Sequence, residues 1–577
     1  MSAPKTSAWT RVAFLAPGVA LFAIHASLYR DWLVDDSGIS IAYAVHLAEG
    51  HGLVSQPGVA PVEGYSNPLW VFLLAAISRA GLLVLPLAPK LASGVFVTAA
   101  FATLLAFVDR LAAHPRLVGA CVLMACSLNP AFVIWCTSGL ENALYAWTVV
   151  TLAYLTVRAV ESPIRGRAFV ACGVGAALAA MTRPDGVVFA FVPPICALAS
   201  GQRERRPYAL YAVALFGLLG GFVISRIVVF GHLVPNTAIV KGVPKLGDAI
   251  DFLLLTRDGI DKMDSVLEAA FPAPIANVVL IGTVSAAVLA ARKGRVGIAL
   301  GVLLAFAAAA LVDYMLLPSD WMWENRFGTA FLPLCYGSVF LLIDVALDMS
   351  PVRRKAAAFA VVAGSLLSAG LPSFAGRDLV FASGSNISLF FVRSAFAERF
   401  DRYADALHVA HPSVLLPDVG AMLLWSHAHV YDLAGLCDAS IARLRKADPE
   451  GERQYILGAI RPTFIHTYGS HSRVSLERDR RFASDYVPIH EYDKDEDPYS
   501  EGHASGIFVR RDAVSSPEGE AQLESLRRET HRRESFLRPP SPSFLRRWLE
   551  ETALVPKEYR AAASARAAAP SAPRPSP

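Results

Sequence analysis

Charge is scarce in this chain. Only 18% of its 577 residues are Asp, Glu, Lys or Arg, against 54% hydrophobic residues. A soluble domain carries about 25% charge. The mean hydropathy is +0.43, and apolar runs such as 207–229 and 296–317 are long enough to cross a bilayer core of roughly 30 Å. A string of soluble domains is therefore excluded, and a polytopic membrane protein is expected. A basic surface is also missing. The net charge is +4, but segment 521–577 alone carries 11 Lys and Arg against 6 Asp and Glu. The rest of the chain is close to neutral, which gives no support for nucleic acid as a partner.

Cysteines form no framework. There are seven, with no CxxC pair. Six lie in or beside apolar runs and read as small buried hydrophobes. The chain contains no GxxxxGK[ST], no GxGxxG after a strand, no HExxH and no GxSxG. ATP-driven transport, dinucleotide chemistry, zinc proteolysis and serine hydrolysis thus have no motif to rest on. His427 and His429 lie between two expected strands and read as surface residues. Segment 11–30 has no small-residue cleavage site and reads as an uncleaved first span.

Eleven candidate spans follow from hydropathy: 11–30, 88–108, 117–135, 141–157, 168–181, 186–200, 207–229, 273–291, 296–317, 329–348 and 356–372. Segment 68–86 is interrupted by Arg79 and reads as an interfacial helix. Basic residues then fall in alternate loops: Lys5 and Arg11; Arg110 and Arg116; Arg158, Arg165 and Arg167; Arg203, Arg205 and Arg206; Arg292, Lys293 and Arg295; Arg353, Arg354 and Lys355. The positive-inside rule makes that side cytoplasmic. Counting 68–86 as a span would invert every later loop.

Three parts are expected: a membrane domain over 1–372, an outer α/β domain over 373–520, and a basic, Ala/Pro-rich tail over 521–577 whose end reads as disordered. Segments 414–416, 456–460 and 507–509 read as strands, with helices at 391–408 and 438–447.

The outward loops hold the candidate chemistry. Loop 31–87 opens with Asp35-Asp36 and continues through Glu63, Tyr65 and Asn67. Two like charges side by side raise one pKa, which suits proton abstraction. They also have the oxygens for a divalent cation, and either one could instead cap a helix over 39–48. Glu141, Arg183, Asp185, Asn236, Thr237, Lys241, Asp320, Glu324 and Arg326 all fall at the same membrane face. Carboxylates there suit acid/base work, and Arg183, Lys241 and Arg326 suit an anionic phosphate at headgroup level. Ionisable groups at membrane depth are functional candidates.

These residues resemble a known pattern. A first span followed by an outer loop with an acidic pair resembles the GT-C membrane glycosyltransferases. Within that class, several motifs are similar to the terminal arabinofuranosyltransferase family of mycobacterial cell walls and its uncharacterised relatives. In the outer loop these are Asp35-Asp36-Ser37-Gly38, Glu49-Gly50-His51-Gly52 and Glu63-Gly64-Tyr65-Ser66-Asn67-Pro68. Ser138-Gly139-Leu140-Glu141, Thr182-Arg183-Pro184-Asp185-Gly186, Pro235-Asn236-Thr237 and Asp320-Trp321 with Arg326-Phe327 follow. The soluble part adds Pro417-Asp418-Val419-Gly420 and Tyr431-Asp432-Leu433-Ala434-Gly435-Leu436. The chain departs from that family at Ser37-Gly38 and in loop 318–328.

The resemblance implies transfer of a sugar, arabinofuranose in that family, from a polyprenyl-phosphate donor to a hydroxyl of an envelope glycan or lipid outside a bacterial plasma membrane. It implies Asp36 or Asp35 as the base, with Asp36 preferred. Arg326, Lys241 and Arg183 would face the phosphate, while Glu63, Tyr65, Asn67, Glu141, Asn236 and Asp320 would bind sugar or acceptor. It calls for no nucleotide or ATP, and a divalent cation stays open as a cofactor. Other GT-C activities, on protein or lipid A, are the alternative enzymes. A lipid-glycan transporter and an envelope scaffold are the non-enzymatic ones.

Overall fold

The computed structural model describes residues 8–161, 165–241, 257–272, 275–292, 297–318, 320, 322–494, 496–497, 500–534 and 544–568. The chain starts with α1 (Ala8–Ala26), then two helices of the outer loop, α2 (Asp35–Glu49) and α3 (Pro68–Arg79). A helical body follows: α4 (Leu87–Leu111), α5 (Pro115–Leu128), α6 (Pro130–Cys136), α7 (Asn142–Glu161), α8 (Arg165–Thr182), α9 (Val192–Ala199) and α10 (Arg205–Phe230). It continues with α11 (Asn236–Lys241), α12 (Arg257–Ala270), α13 (Ile275–Arg292), α14 (Ile298–Leu316), α15 (Phe331–Asp348) and α16 (Lys355–Ser383).

Six of these helices, α4, α7, α10, α14, α15 and α16, are long and apolar enough to cross a membrane. Two bent pairs bring the number to eight among the described residues; α5 and α6 meet at 68°. Pro130 at the start of α6 and Asn129 as its cap, accepting from the Phe132 N–H, account for that break. The other expected spans are shorter apolar helices, Phe14–Tyr29, Gly166–Thr182 and Pro184–Ala199, so length and composition do not yield eleven full spans. Segment 68–86 is a twelve-residue helix and a turn, too short to span.

The outer domain is an α/β unit. Its five-stranded sheet runs in the order β2-β1-β3-β5-β4, with β1 (Ser413–Leu416), β2 (His429–Asp432), β3 (Phe464–Thr467), β4 (Tyr486–Glu491) and β5 (Gly506–Arg510). β1 is parallel to β2 and β3, while β5 is antiparallel to β3 and β4. Helix α17 (Gly420–Trp425) follows β1, and α18 (Ala439–Ala447) follows β2. The expected strand at 456–460 is instead a helical turn, Tyr455–Ile460, ended by Arg461 at φ +40°. A short apolar run fits a buried helix turn as well as a strand, and the real strand lies after Pro462. Within the segment set apart as a tail, α19 (Pro517–Glu534) runs against β4. Helices α20 (Phe544–Glu551) and α21 (Lys557–Ala568) pack Leu549, Val555 and Ala563 on Ala375 and Leu379 of α16. Its final residues, 569–577, lie outside the described part.

One apolar core joins the outer loop to the soluble domain. Ile39, Ile41 and Tyr43 of α2 and Trp70 and Leu74 of α3 pack in the same cluster as Val414, Leu416, Met422, Val430 and Val509. Leu415, Ile465 and Phe508 face the other side of the sheet with Ile441 and Leu457, as the two-residue strand period requires. The outer loop is thus buried between two domains rather than hung in solvent.

Candidate active site

Asp36 lies in the first turn of α2, whose N-cap is Val34. Neither acid of the pair caps its own helix, which corrects that expectation. Asp36 keeps 30% of its side chain exposed and faces the Arg326 guanidinium, 3.8 Å from Nη1. Arg326 is 7% exposed, and its Nε sits 2.8 Å from a carboxylate oxygen of Asp320. Asp35 points elsewhere. Its oxygens accept from the Gly420 and Ala421 N–H groups, both at 2.9 Å. Burial pushes its carboxyl up to about 7, against the pull of those two amides.

A second chain of contacts starts one turn along α2, on the face that carries Asp36. Ser40 Oγ donates to Asn67 Oδ1 at 2.9 Å, and Asn67 Nδ2 donates to Glu141 at 2.6 Å. Glu141 pairs with Arg183 at 3.1 Å, and Arg183 also holds Asp185 at 2.9 Å. The guanidinium groups of Arg183 and Arg326 each lie 4.6 Å from the ring centroid of Phe327. The series therefore closes on itself: Asp36, Arg326, Phe327, Arg183, Glu141, Asn67 and Ser40, back to α2. Buried charges are tolerated when paired, and each charged member of the series lies within 4 Å of an opposite charge.

Local backbone explains the placement. Gly139 sits at φ +90°, where a Cβ would meet Ser37 Oγ at 2.8 Å. That turn lets Ser138 accept from the Val34 N–H and Gly139 accept from Trp70 Nε1, both at 3.0 Å. It thereby seats Glu141 beside α2. Before Arg326, Glu324 and Asn325 take φ +63° and +49°, a conformation costing about 1–3 kcal/mol per non-glycine residue. Four partners hold them there. Glu324 pairs with Arg377, Asn325 Oδ1 accepts from Tyr314 and Ser265, and Trp135 Nε1 donates to the Trp323 and Glu324 carbonyls.

The remaining expected residues form a separate group. Glu63 is bound by Arg226 at 2.6 and 3.1 Å, and burial raises its carboxyl. Tyr65 packs edge-on to Tyr43 and Phe230. Asn236 Nδ2 donates to the Gly435 and Leu436 carbonyls, tying α11 to the soluble domain. Lys241 ends α11, and its side chain lies outside the described residues.

Arg226, Phe327 and Ser40 were not singled out by sequence. Arg226 carried a signal, as the one charged residue inside the run 207–229; so did Asp313 in 296–317, which accepts from Tyr145 at 3.3 Å. Asp418 is half-buried, and one of its carboxylate oxygens is shielded from solvent and meets no hydrogen-bond donor. Burial and the charges of Asp35, Asp36 and Asp432 push it well above the ordinary carboxylate range. No group of three or more His, Cys, Asp or Glu side chains among the described residues is arranged to hold a metal ion. With both Asp35 oxygens taken by amides, the acidic pair does not form a two-carboxylate cradle for a cation.

Neither a protein-family model nor a curated protein matches the chain. Solved structures do. The Archaeoglobus fulgidus oligosaccharyltransferase in complex with Zn and sulfate superposes with a TM-score of 0.52 at 12% identity, over 82% of this chain and 71% of its own. Its apo form gives 0.51 at 12% identity, over 85% and 70%. ArnT from Cupriavidus metallidurans, bound to undecaprenyl phosphate, gives 0.44 at 15% identity, over 78% and 80%. At such identities the likeness is one of fold alone: this chain shares the fold of the Archaeoglobus fulgidus oligosaccharyltransferase.

Proposed function

We propose that this chain is a glycosyltransferase that takes a sugar from a polyprenyl-phosphate donor and passes it to a hydroxyl on the outer face of a bacterial plasma membrane. The observation that carries this reading is the pairing of a partly exposed carboxylate, Asp36, with a buried guanidinium, Arg326, at one end of a bundle that shares the oligosaccharyltransferase fold. A base and an anion partner side by side suit one displacement. Asp36 takes the proton of the acceptor hydroxyl, and the acceptor oxygen bonds to the anomeric carbon. The bond from that carbon to the phosphate oxygen breaks, and the phosphate leaves with the electron pair. Arg326 offsets the charge that develops on it.

The other roles follow from the same ring. Arg183 backs the phosphate side from across Phe327, and Lys241 stays a candidate there. Asp320 orients Arg326. Asn67 and Glu141 hold the ring and border the sugar. Glu63, Tyr65 and Asn236 border the acceptor side, where Arg226 and the 435–436 carbonyls already hold two of them. The resemblance in the motifs favours arabinofuranose and an envelope glycan or lipid acceptor. The N-terminus then lies in the cytoplasm and the α/β domain outside.

The test is release of polyprenyl phosphate by purified protein given donors that differ only in sugar. Turnover with a pentofuranosyl donor and none with hexosyl donors is the expected result; the reverse moves the chain to another GT-C activity. Reporter fusions at 204 and 450 are expected on opposite sides of the membrane, and a same-side result contradicts the orientation.

A further inference from the structure

The proposed reaction uses Asp36 and leaves its neighbour without a chemical task. Asp35 is nevertheless held by several hydrogen bonds. Its carboxylate accepts from the Gly420 and Ala421 N–H groups, and its own N–H donates to the Ile387 carbonyl at 3.0 Å. The Leu389 N–H donates to the Leu33 carbonyl at 2.8 Å, and Val34 forms an antiparallel bridge with Ser388. The approach is also backbone on backbone. A Cβ on Gly420 would stand 1.9 Å from the Asp35 carbonyl oxygen, and one on Gly38 would stand 2.6 Å from the Gly420 carbonyl carbon. Two glycines facing each other allow the contact, and no other residue fits either place.

The location in the soluble domain matters as much as the contact. β1 lies between its two parallel partners, β2 and β3. The chain leaves the carboxyl end of β1 for β2 on one side, and that of β3 for β4 on the other, so the two connections part between β1 and β3. In open α/β sheets that crevice is where ligands bind. Here the turn between β1 and α17 takes a side chain of the membrane domain instead. Successive helix residues project about 100° apart, so one acid meets the soluble domain while the next faces Arg326.

We propose that Asp35 is a positioning residue: its carboxylate docks the carboxyl edge of the soluble sheet onto the start of α2, and that docking aims Asp36 at Arg326. The soluble domain would thus complete the catalytic centre rather than only recruit an acceptor. This rests on the reading of Asp36 as the base.

The experiment uses the full chain in lipid nanodiscs. Hydrogen exchange at amides 420–425 reads docking, and turnover of a polyprenyl-phosphate sugar reads chemistry. Asp35→Ala and Gly420→Ala are expected to speed exchange there by about tenfold or more. Asp35→Asn, which keeps the shape and one acceptor oxygen, is expected to speed it less. The kcat should fall in the same order, by about tenfold to a hundredfold, with the donor KM moving no more than roughly twofold. Asp36→Asn should lose turnover and keep wild-type protection. Wild-type protection in Asp35→Asn and Gly420→Ala overturns the proposal. So does a donor KM that rises while protection stays, because Asp35 would then touch substrate. If protection depends on Asp35 but turnover ignores Asp36, the base assignment fails and the docking contact stands.

Discussion

Arginines at the two ends of the bundle live in opposite environments. At the end bearing Arg110, Arg116, Arg158, Arg203, Arg205, Arg206, Arg353 and Arg354, every one of them is exposed. At the other end, Arg183 and Arg326 are 8% and 7% exposed, Arg226 is 11% and Arg377 is 14%. Each of these four is paired with a carboxylate. An exposed cation keeps its hydration and loses little in solvation. A buried one is costly unless its partners are in place. Among the arginines, only those at the second end therefore need a structural reason for their burial, and the closed series from Asp36 to Ser40 accounts for Arg183 and Arg326.

The contrast can be broken in steps, beginning with the largest effect. Asp36→Asn should lower turnover by about 10²- to 10⁴-fold, the usual share of a general base, with donor binding retained; a transfer assay beside a lipid-phosphate binding measurement checks both. Arg326→Met removes the phosphate partner and strands the buried Asp320. Turnover should fall about 10²- to 10³-fold, and the protein should also lose several kcal/mol, on the order of 3–5, from the orphaned charge, read as an earlier thermal transition.

A smaller effect concerns pH. Asp35 and Asp432 are raised to about 7, and Asp418 is raised as well. Burial drives all three, while Asp36 adds like charge to Asp35 and Asp418, and Asp438 to Asp432. Opposing this, amides of 420–421 hold Asp35, and amides of 434, 435 and 437 hold Asp432. Their folded pKa values exceed the usual 3.8, so the folded form binds more protons. The stability they contribute is full below about pH 4 and is lost as pH rises through 7. Protection of 420–425 should be weaker at pH 8 than at pH 5.5, and Asp418→Asn should flatten that dependence. At the exposed end, Arg353→Ala and Arg354→Ala should change stability by no more than about 0.5 kcal/mol and leave turnover as it was.

Much of this was legible residue by residue. Apolar runs outlined the bundle, and the Asp35-Asp36 motif pointed to a helix over 39–48, which starts earlier, at Asp35. Pairings were the illegible part. Asp35 and Gly420 are 385 positions apart, and no local pattern links them. The resemblance put Glu63 among the sugar or acceptor ligands, and nothing local showed its partner Arg226, which sits inside a hydrophobic run 163 positions later. The strand misread at 456–460 has a local cause: five apolar residues in a row fit a buried helix turn as well as a strand.

The central claim is that Asp36, and not Asp35, exchanges the proton with the acceptor. Transfer from a polyprenyl-phosphate sugar, followed as the released polyprenyl phosphate in single-turnover experiments with wild type, Asp35→Asn and Asp36→Asn, tests it most directly. The account predicts that Asp36→Asn forms no product on the wild-type time scale, while Asp35→Asn forms it slowly. Product formation at the wild-type rate by Asp36→Asn would contradict it.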